Sequence, residues 1–520
     1  MNYGKRLMST LWAGFLAVVI LAVGQGCGER FFGPTSICEQ LRCRRGDRAS
    51  EATFIPCSPV EWVALLSGCR LTRIEYMNAQ PTSLGASPTN SDLAQWVRDS
   101  RSRTLDLISD LSDEQLLGPR LAIVNPLLWE IGHVAWFQEK WALRHAAGQA
   151  PVRPGVDSLY DSAAIAHDTR WDLLLPSRQE TLDYLRAVRD AVLERIADPR
   201  LSDSDRYFIQ LGVFHEDMHN EAFTYTRQTH GYPLPRFIRP ESSPGEAGPL
   251  PGDAEIPGGC FMLGALPGEP FVFDNEKWAH PIAVEAFAIA RSAVTQREFQ
   301  DFVAAGGYRR REFWSEPGWT WRLSSEAEHP VYWEREAAGR WLRRNFDHWL
   351  PLEPHHPVLH VNWWEAEAYC KWAGRRLPTE AEWEVASSAE GASSGQGLAE
   401  TKRRFPWGDG APSSEQANLG GGSGGAADVA AFPAGDSAFG CRQMIGNVWE
   451  WTADNFEPYP GFEIDPYREY SQPWFGSHKV LRGGAWTTQP RLLRNTWRNF
   501  YMPDRRDVWA GFRTCRQKEL

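Results

Sequence analysis

The chain has 520 residues and a formal net charge of -11, so it is long enough for more than one globular domain. Its 55 basic residues are outnumbered by 66 acidic ones and form no long cluster. A protein that binds nucleic acid through its charge needs a basic patch. We therefore expect small-molecule partners and no nucleic acid.

The N-terminal segment has the pattern of an export signal. Residues 11–27 are apolar, follow Lys5 and Arg6, and end at Cys27, where a lipoprotein signal would be cleaved. The apolar run is too short for a comfortable transmembrane helix. Residues 29–76 show no periodicity, and a new start is possible at Met77. We predict that residues 1–76 are an N-terminal extension upstream of the natural start; a native N-terminus at Cys27 would contradict this.

Apolar residues at three- and four-residue steps predict four amphipathic helices in residues 77–238. The first starts near Asn90, and the others cover residues 125–145, 177–199 and 203–228. Helices of this length with short connections predict an antiparallel four-helix bundle.

The composition changes after the fourth helix. Residues 239–255 are rich in Pro and Gly, which predicts a linker between domains. Residues 256–520 alternate short apolar runs with Gly, Pro, Asn and Asp, which predicts an irregular, loop-rich domain with one helix at residues 363–374. The predicted fold class is α+β, a helical bundle followed by a loop-rich domain.

The sequence H-E-D-M-H begins at His215 and ends at His219. Histidines four residues apart lie on one face of a helix and can bind one metal ion. An unselected pair of this kind more often only hydrogen-bonds, in the core or at the surface, by roughly two to one. His133 shifts the balance because it lies on another helix of the predicted bundle, and bundles build metal sites from facing helices.

The same pattern occurs in zinc proteases, where Glu216 would be the general base and a third ligand would follow His219. Glu221 would point to another side of the helix, and His230 lies close to the helix end. Three neutral imidazoles instead leave an iron(II) ion with its full charge and with open positions. We therefore favour a redox iron site over a zinc hydrolase.

The paired strings WEIGHVAWF and HEDMHNEAF, followed by a second domain, resemble the ergothioneine-type sulfoxide synthases (EgtB) and the related selenoneine synthases. The resemblance runs from about Ser91 to the C-terminus. It implies a DinB-like bundle whose iron(II) ligands are His133, His215 and His219. The strings FPWGD, IGNVWEWTAD, VLRGGAW and RNFYMPDRRDVWAGFR resemble the formylglycine-generating enzyme fold, which is related to C-type lectins.

The resemblance implies an iron(II)- and O2-dependent enzyme that joins a thiol or a selenol to the imidazole C2 of hercynine, the trimethylated betaine of histidine. The expected partners are hercynine, a selenosugar or thiol, and O2. We expect a cytoplasmic protein without a stable membrane partner, because iron(II) and such donors are kept in the cytoplasm.

The resemblance also implies substrate-binding residues. Arg170 and Arg505 match arginines that bind the sulfur donor, whereas Asn499, Phe500 and Tyr501 align with an Asn-Trp-Asp string. Met218 stands where a glutamine commonly contacts hercynine. Because the acid and the glutamine are replaced, we favour the selenoneine branch with a selenosugar donor over the ergothioneine branch with gamma-glutamylcysteine or cysteine.

Family members use a tyrosine near the iron as a proton donor. Tyr459 is the first candidate, with Tyr501 and Tyr467 as alternatives, although packing roles are favoured for each by roughly two to one.

Two further function classes remain open on the sequence: a formylglycine-type oxidase or zinc hydrolase, and a non-catalytic module with a lectin-like domain. The oxidase would need copper-binding cysteines close together in the C-terminal domain. Neither Cys441 nor Cys515 has such a neighbour in the sequence. Metal content of the purified protein separates the module from the synthase.

Overall fold

The computed structural model describes residues 87–238 and 246–518. The signal-like segment, the proposed start at Met77 and residues 239–245 of the predicted linker lie outside the described residues. Within the described ranges, no helix combines the length and apolar character needed to cross a membrane.

The first domain is a bundle of four long helices with two short helices in their connections. The helices of this domain are α1 (Asn90–Ile108), α2 (Asp113–Leu117), α3 (Leu127–Gln138), α4 (Asp157–Tyr160), α5 (Arg178–Ala197) and α6 (Asp203–His230). α3 continues as a π-helical segment, Glu139–His145, and a 3-10 segment, His167–Asp172, precedes α5. Helix α1 packs on α5 and α6, and α3 packs on the same two helices. The predicted bundle is confirmed.

Capping boxes set where three of the long helices begin. The side chains of Thr89, Ser177 and Ser202 accept hydrogen bonds from the main chain of the third helical residue, and the acidic side chain there bonds back to the cap. Helix α6 ends at Gly231, whose φ of 67° is left-handed and suits glycine. These caps explain why the predicted helix starts agree with the structure to within a few residues.

The second domain consists of short strands joined by long loops. Its strands are β1 (Asp253–Ile256), β2 (Gly259–Leu263), β3 (His280–Val284), β4 (Phe287–Ala290), β5 (Trp333–Arg335), β6 (Trp341–Asn345), β7 (His348–Pro351), β8 (Arg375–Arg376), β9 (Ala389–Gly391), β10 (Leu398–Lys402), β11 (Trp449–Asn455), β12 (Lys479–Arg482), β13 (Asn499–Tyr501), β14 (Ala510–Gly511) and β15 (Cys515–Arg516). Its helices are α7 (Gln296–Ala304), α8 (Glu316–Ser325), α9 (Trp363–Trp372) and α10 (Glu380–Ser388).

Two four-stranded sheets organise this domain, in the orders β1-β4-β15-β8 and β13-β12-β11-β14. In the second sheet β11 pairs antiparallel with β12 and parallel with β14, and β13 lies at one edge. Strand β1 begins at Asp253 and pairs with β4, so residues 253–255 belong to the second domain and not to the linker predicted for residues 239–255. The α+β fold class is confirmed.

The two domains share a continuous buried core. Phe214 of α6 packs edge-on against Phe271, with ring centroids 4.8 Å apart, and Tyr207 stacks on the same ring at 5.0 Å. Apolar burial of this kind is the main favourable term in such packing. The face of α6 that meets the second domain is therefore fixed by packing as well as by the polar contacts described below.

Candidate metal centre

Three histidines from two helices of the bundle converge on one point. His133 lies on α3, and His215 and His219 lie one turn apart on α6. One potential ligand atom from each lies within 4.8 Å of the others, and the ring centroids are 4.5 to 5.1 Å apart. The structure thus brings together the three residues that the sequence predicted as metal ligands.

Hydrogen bonds orient two of the three rings. The Nδ1 atom of His133 donates to the carbonyl oxygen of Tyr160 at 2.8 Å, and the Nδ1 atom of His219 donates to Oε1 of Glu130 at 2.6 Å. A histidine that donates from Nδ1 keeps the lone pair on Nε2 for a metal. Stacking fixes the third ring, since His215 lies flat on Phe137 with centroids 3.5 Å apart.

Burial keeps two of the three histidines neutral and so receptive to a cation. Burial lowers the pKa of His133 and of His215 well below the usual range, and the neighbouring histidines lower both further. The buried Nδ1 atom of His215 has no hydrogen-bond partner among the described residues. Three converging imidazoles, one of them with an orphaned nitrogen, fit a divalent transition metal such as iron(II).

Glu216 is engaged away from the histidines. Nε of Arg101 donates to its Oε1 at 2.7 Å, and the hydroxyl of Thr104 donates to the same oxygen at 2.7 Å. All three side chains are buried in the bundle. The carboxylate is therefore a structural partner of α1, and the arrangement of a zinc protease, in which it would activate a water, is absent from this cluster.

Arg170 lies beside the cluster, on the 3-10 segment before α5. Its guanidinium stands 4.0 Å from the ring centroid of Trp129 and donates to Oδ1 of Asn125 at 2.6 Å. Its Nε atom is buried without a partner, and among the described residues it forms no ion pair. Burial lowers its pKa, which the charge of Glu130 partly offsets. A buried cation of this kind can receive a substrate carboxylate.

The C-terminal residues that the sequence predicted to bind substrate lie on β13 and just after it. Oδ1 of Asn499 accepts from the main-chain N–H of Phe500 at 2.8 Å, so this side chain supports its own strand. Burial raises the pKa of Tyr501 to about 12, and its hydroxyl bonds to Tyr225 of α6. These contacts join β13 to the helix that carries two of the histidines.

Arg505 is already paired. It donates twice to the carboxylate of Asp507, each time at 2.7 Å, and once to the carbonyl oxygen of Ile123 in the bundle at 3.1 Å. A bidentate pair neutralises the guanidinium. In contrast to Arg170, Arg505 is not free to hold a second carboxylate unless Asp507 releases it.

Met218 and two tyrosines close the side of the cluster that faces the second domain. The hydroxyl of Tyr470 lies 3.9 Å from the sulfur of Met218. The ring of Tyr467 packs against Phe137 at 4.8 Å and lies 6.3 Å from His215. The ring of Phe500 lies 5.9 Å from Tyr470.

Tyr459, the first candidate for the proton donor, lies elsewhere. Its hydroxyl donates to Glu380 at 3.3 Å, Arg498 stands 4.1 Å from its ring centroid, and His280 packs edge-on at 4.8 Å. These partners all belong to the second domain, whereas Tyr467, eight residues later in the same loop, contacts His215. The structure brings Tyr467, not Tyr459, to the histidines.

Sequence reasoning missed three residues that shape the site: Glu130, Tyr225 and Tyr470. Glu130 had a detectable signal, because it precedes His133 by three residues on one helix and so shares its side. The tyrosines had none, since Tyr470 lies in a loop without periodicity and Tyr225 shares its pattern with ordinary core residues.

Comparisons with known proteins agree with this architecture. Residues 239–518 match the sulfatase-modifying factor enzyme 1-like domain, and residues 97–223 match the DinB superfamily. A hercynine oxygenase of Mycolicibacterium thermoresistibile is 39% identical over 439 residues, which cover 82% of this chain and 95% of that protein. The chain belongs to the hercynine oxygenase family. It is accordingly an oxidising enzyme.

Other relatives of this family and of the second domain fit the same picture. The hercynine oxygenase of Mycobacterium tuberculosis is 38% identical over 427 residues, which cover 81% of this chain and 97% of that protein. A formylglycine-generating enzyme of Streptomyces coelicolor is 31% identical over 303 residues, but these cover only 52% of this chain and 90% of that enzyme. Family membership therefore rests on both domains together.

Three cysteines of the second domain are free, and none of the three is an exposed thiol. Cys370, Cys441 and Cys515 are free and buried. Burial raises the pKa of each thiol, that of Cys441 to about 11. A reactive cysteine needs the opposite shift and access to solvent, so these three thiols are unlike those of a thiol-based oxidase.

Proposed function

We propose that this enzyme is a non-heme iron(II), O2-dependent synthase that joins a selenium or sulfur atom to the imidazole C2 of hercynine. The observation that carries the proposal is the three-histidine cluster, with two rings oriented through Nδ1, at a junction between the bundle and the second domain. Membership of the hercynine oxygenase family supports the choice of hercynine. The set of three imidazole donors supports iron(II).

Iron(II), when bound by His133, His215 and His219, would supply the redox chemistry with O2 and hold the donor as a reactive anion. The protein's own contribution is position. Glu130 and the Tyr160 carbonyl fix the ligand rings, which limits the motion of whatever binds between them.

Hercynine carries a trimethylammonium group and a carboxylate, and the site offers chemistry for both. Tyr470, whose ring stacks on Phe273 at 4.4 Å and meets Phe500 edge-on at 5.9 Å, adds aromatic surface beside Met218, and aromatic surface attracts a quaternary ammonium ion. Met218 contacts Tyr470 and adds polarisable apolar surface. The unpaired guanidinium of Arg170 suits a carboxylate, from hercynine or from the donor.

The preferred sulfur or selenium donor depends on which arginine side chains are not already paired with a carboxylate. Gamma-glutamylcysteine carries two carboxylates and an amine, so it needs matching charges on the protein. Here Arg505 is neutralised by Asp507, and Tyr501 offers a hydroxyl in place of an acid. Hydroxyl groups suit a polyhydroxylated, uncharged donor. We therefore favour a selenosugar, as in the selenoneine branch, with a cysteine-type thiol as the alternative.

Tyr467 is the tyrosine best placed to give a proton near the histidines. Burial raises the pKa of its hydroxyl, so it stays protonated at neutral pH. Its ring lies between Phe137 and Tyr470, which restricts its orientation. We therefore propose Tyr467 as the proton donor in place of Tyr459, because Tyr467 contacts His215 and Tyr459 contacts Glu380.

A competition assay tests the proposal. Iron(II)-loaded protein is incubated in air with hercynine and equal amounts of a selenosugar, gamma-glutamylcysteine and cysteine, and the products are identified by mass spectrometry. A hercynyl selenosugar adduct supports the selenoneine branch, and a cysteine-type sulfoxide supports the alternative. If iron is bound and no adduct to hercynine forms with any donor, the proposed function is wrong.

A further inference from the structure

Four polar side chains form one row along the metal-binding helix α6: Asp217, Glu221, Thr224 and Gln228. Their spacing of four, three and four residues places them on one face of the helix. All four are buried, with 1%, 7%, 4% and 0% of their surface exposed. Buried polar groups cost free energy unless they are hydrogen-bonded, so their partners matter.

We call these four residues the polar row. Its first two members, Asp217 and Glu221, bind the loop after β12 and the first residue of β11. Arg491 donates twice to the carboxylate of Asp217, at 2.6 and 2.7 Å. The indole N–H of Trp449 donates to Oε1 of Glu221 at 2.7 Å, and the hydroxyl of Thr488 donates to Oε2.

The other two members bind two further segments of the second domain. The indole N–H of Trp509 donates to the hydroxyl of Thr224 at 2.7 Å. The side-chain oxygen of Gln228 accepts from the main-chain N–H of Phe346 at 2.5 Å, and its amide donates to the carbonyl oxygen of Arg344 at 3.0 Å. Every member of the polar row therefore has a partner in the second domain.

The polar row and the histidines are related by the helix itself. Asp217 and Glu221 follow His215 and His219 by two residues each, which is about 200° around an α-helix. Any rotation or sliding of α6 therefore moves both sets together. Hydrogen bonds with fixed partners resist such motion, whereas a purely apolar face would tolerate it more readily.

We propose that the second domain positions the metal ligands through the polar row, so that Thr488, Trp449 and Arg491 act as positioning residues for His215 and His219. This inference rests on the proposed metal site but not on the identity of the substrate. The second domain then has two roles: it lines the substrate side of the cluster, and it fixes the helix that supplies two of the three ligands.

The test uses cobalt(II) as a spectroscopic probe of the ligand set, without substrate. Thr488→Val removes a donor to Glu221 with little change in volume, and Thr488→Ser restores the hydroxyl. Arg103→Gln is the matched control, because Arg103 donates from α1 to the carbonyl oxygen of Gly420 at 2.9 Å and so crosses between the same two domains without a hydrogen bond to α6.

We expect Thr488→Val to bind cobalt(II) about tenfold more weakly, with shifted visible absorption bands, while Thr488→Ser and Arg103→Gln match the parent protein. The estimate follows the effect of removing the hydrogen-bonded support of metal ligands. Equal affinity and equal bands in Thr488→Val would overturn the inference. If that variant does not fold, Trp449→Phe, which removes the other donor to Glu221, is judged by the same criteria.

Failure of the proposed function gives a different pattern. If the parent protein binds cobalt(II) at the three histidines but forms no hercynine adduct with iron, the substrate assignment is wrong and the positioning role stands. If the parent protein binds no cobalt(II) at these histidines, the positioning role is overturned.

Discussion

His219 donates a 2.6 Å hydrogen bond from Nδ1 to Oε1 of the buried Glu130, which fixes the tautomer and the orientation of a proposed metal ligand. Glu130→Gln removes the negative charge behind the ring. We expect metal affinity to fall by about 10- to 100-fold, as is typical when such a partner is lost. A competition titration against a metal chelator measures it.

Glu139→Gln is the control for this prediction. Glu139 is also fully buried and lies in the π-helical segment that continues α3. Its carboxylate accepts from the hydroxyl of Tyr184 at 2.6 Å and not from a histidine. Its variant should bind metal as the parent protein does. A similar loss in both variants would mean that Glu130 acts only through the stability of the bundle.

Glu216 separates the synthase from a zinc hydrolase. Glu216→Gln leaves the buried Arg101 without its ionic partner, so we expect the free energy of unfolding to fall by about 3 kcal/mol or more. Adduct formation by the folded variant should stay within a few-fold of the parent. A general base would behave in the opposite way, with a loss of about 100-fold or more in rate and little loss of stability. Urea unfolding and product formation are measured on the same samples.

Tyr467 and Tyr459 make a matched pair for the proton-donor role. Tyr467→Phe should slow formation of the adduct by about 100-fold in a single turnover, because the ring keeps its packing on Phe137 but loses its proton. Tyr459→Phe should leave the rate within about twofold, since its hydroxyl bonds to Glu380 in the second domain. The reverse order of the two effects would return the role to Tyr459.

Arg170 should act on substrate binding. Arg170→Gln removes the free guanidinium, and we expect KM for the carboxylate-bearing substrate to rise by about 10- to 100-fold, because hydrogen bonds to charged groups contribute about 1.5–3 kcal/mol. Arg178→Gln is the control, since Arg178 lies in the same domain and its guanidinium is already bonded to the main-chain carbonyls of Leu111 and Ile108. An unchanged KM for both hercynine and donor would remove Arg170 from the site.

The lowered pKa of the buried His360 should make the free energy of unfolding depend on pH. Burial lowers its pKa to about 3, and the nearby charges of Arg343 and Arg344 act in the same direction. The unfolded chain therefore takes up a proton below about pH 6.5 while the folded chain does not, so stability falls as the pH drops from there toward 3, by about 1.4 kcal/mol per unit.

His360→Asn tests this sign. Asparagine is chosen because the backbone of His360 has a left-handed φ of 60°, which asparagine tolerates. Between about pH 7 and pH 5.5, the free energy of unfolding of the metal-free parent should decrease by about 1.4 kcal/mol more than that of the variant. An equal decrease in both proteins would show that His360 titrates normally in the fold.

The bundle and its histidines were predictable because their signals are local. Capping residues such as Ser177 and Ser202 lie next to the periodic segments that they start, and His215 and His219 lie one turn apart on a single helix. Glu130 was equally accessible from its position three residues before His133. Helical periodicity carries this information without any knowledge of tertiary contacts.

The second-domain side of the site was not predictable in the same way. Tyr459 and Tyr467 lie in one irregular loop, and nothing in its pattern tells which ring reaches a histidine more than 240 residues away in sequence. The pairing of Arg505 with Asp507 was visible only as two neighbours of opposite charge. Strand β1 was assigned in part to the linker because four residues, DAEI, are too few to show alternation.

The central claim, that His133, His215 and His219 together hold one iron(II) ion, is tested most directly by anomalous diffraction at the iron edge from anaerobically loaded crystals. We predict one strong peak bounded by a nitrogen of each of the three imidazoles, with Glu216 still paired to Arg101. A peak that lacks any of these histidines, or one that includes the Glu216 carboxylate, would contradict the account.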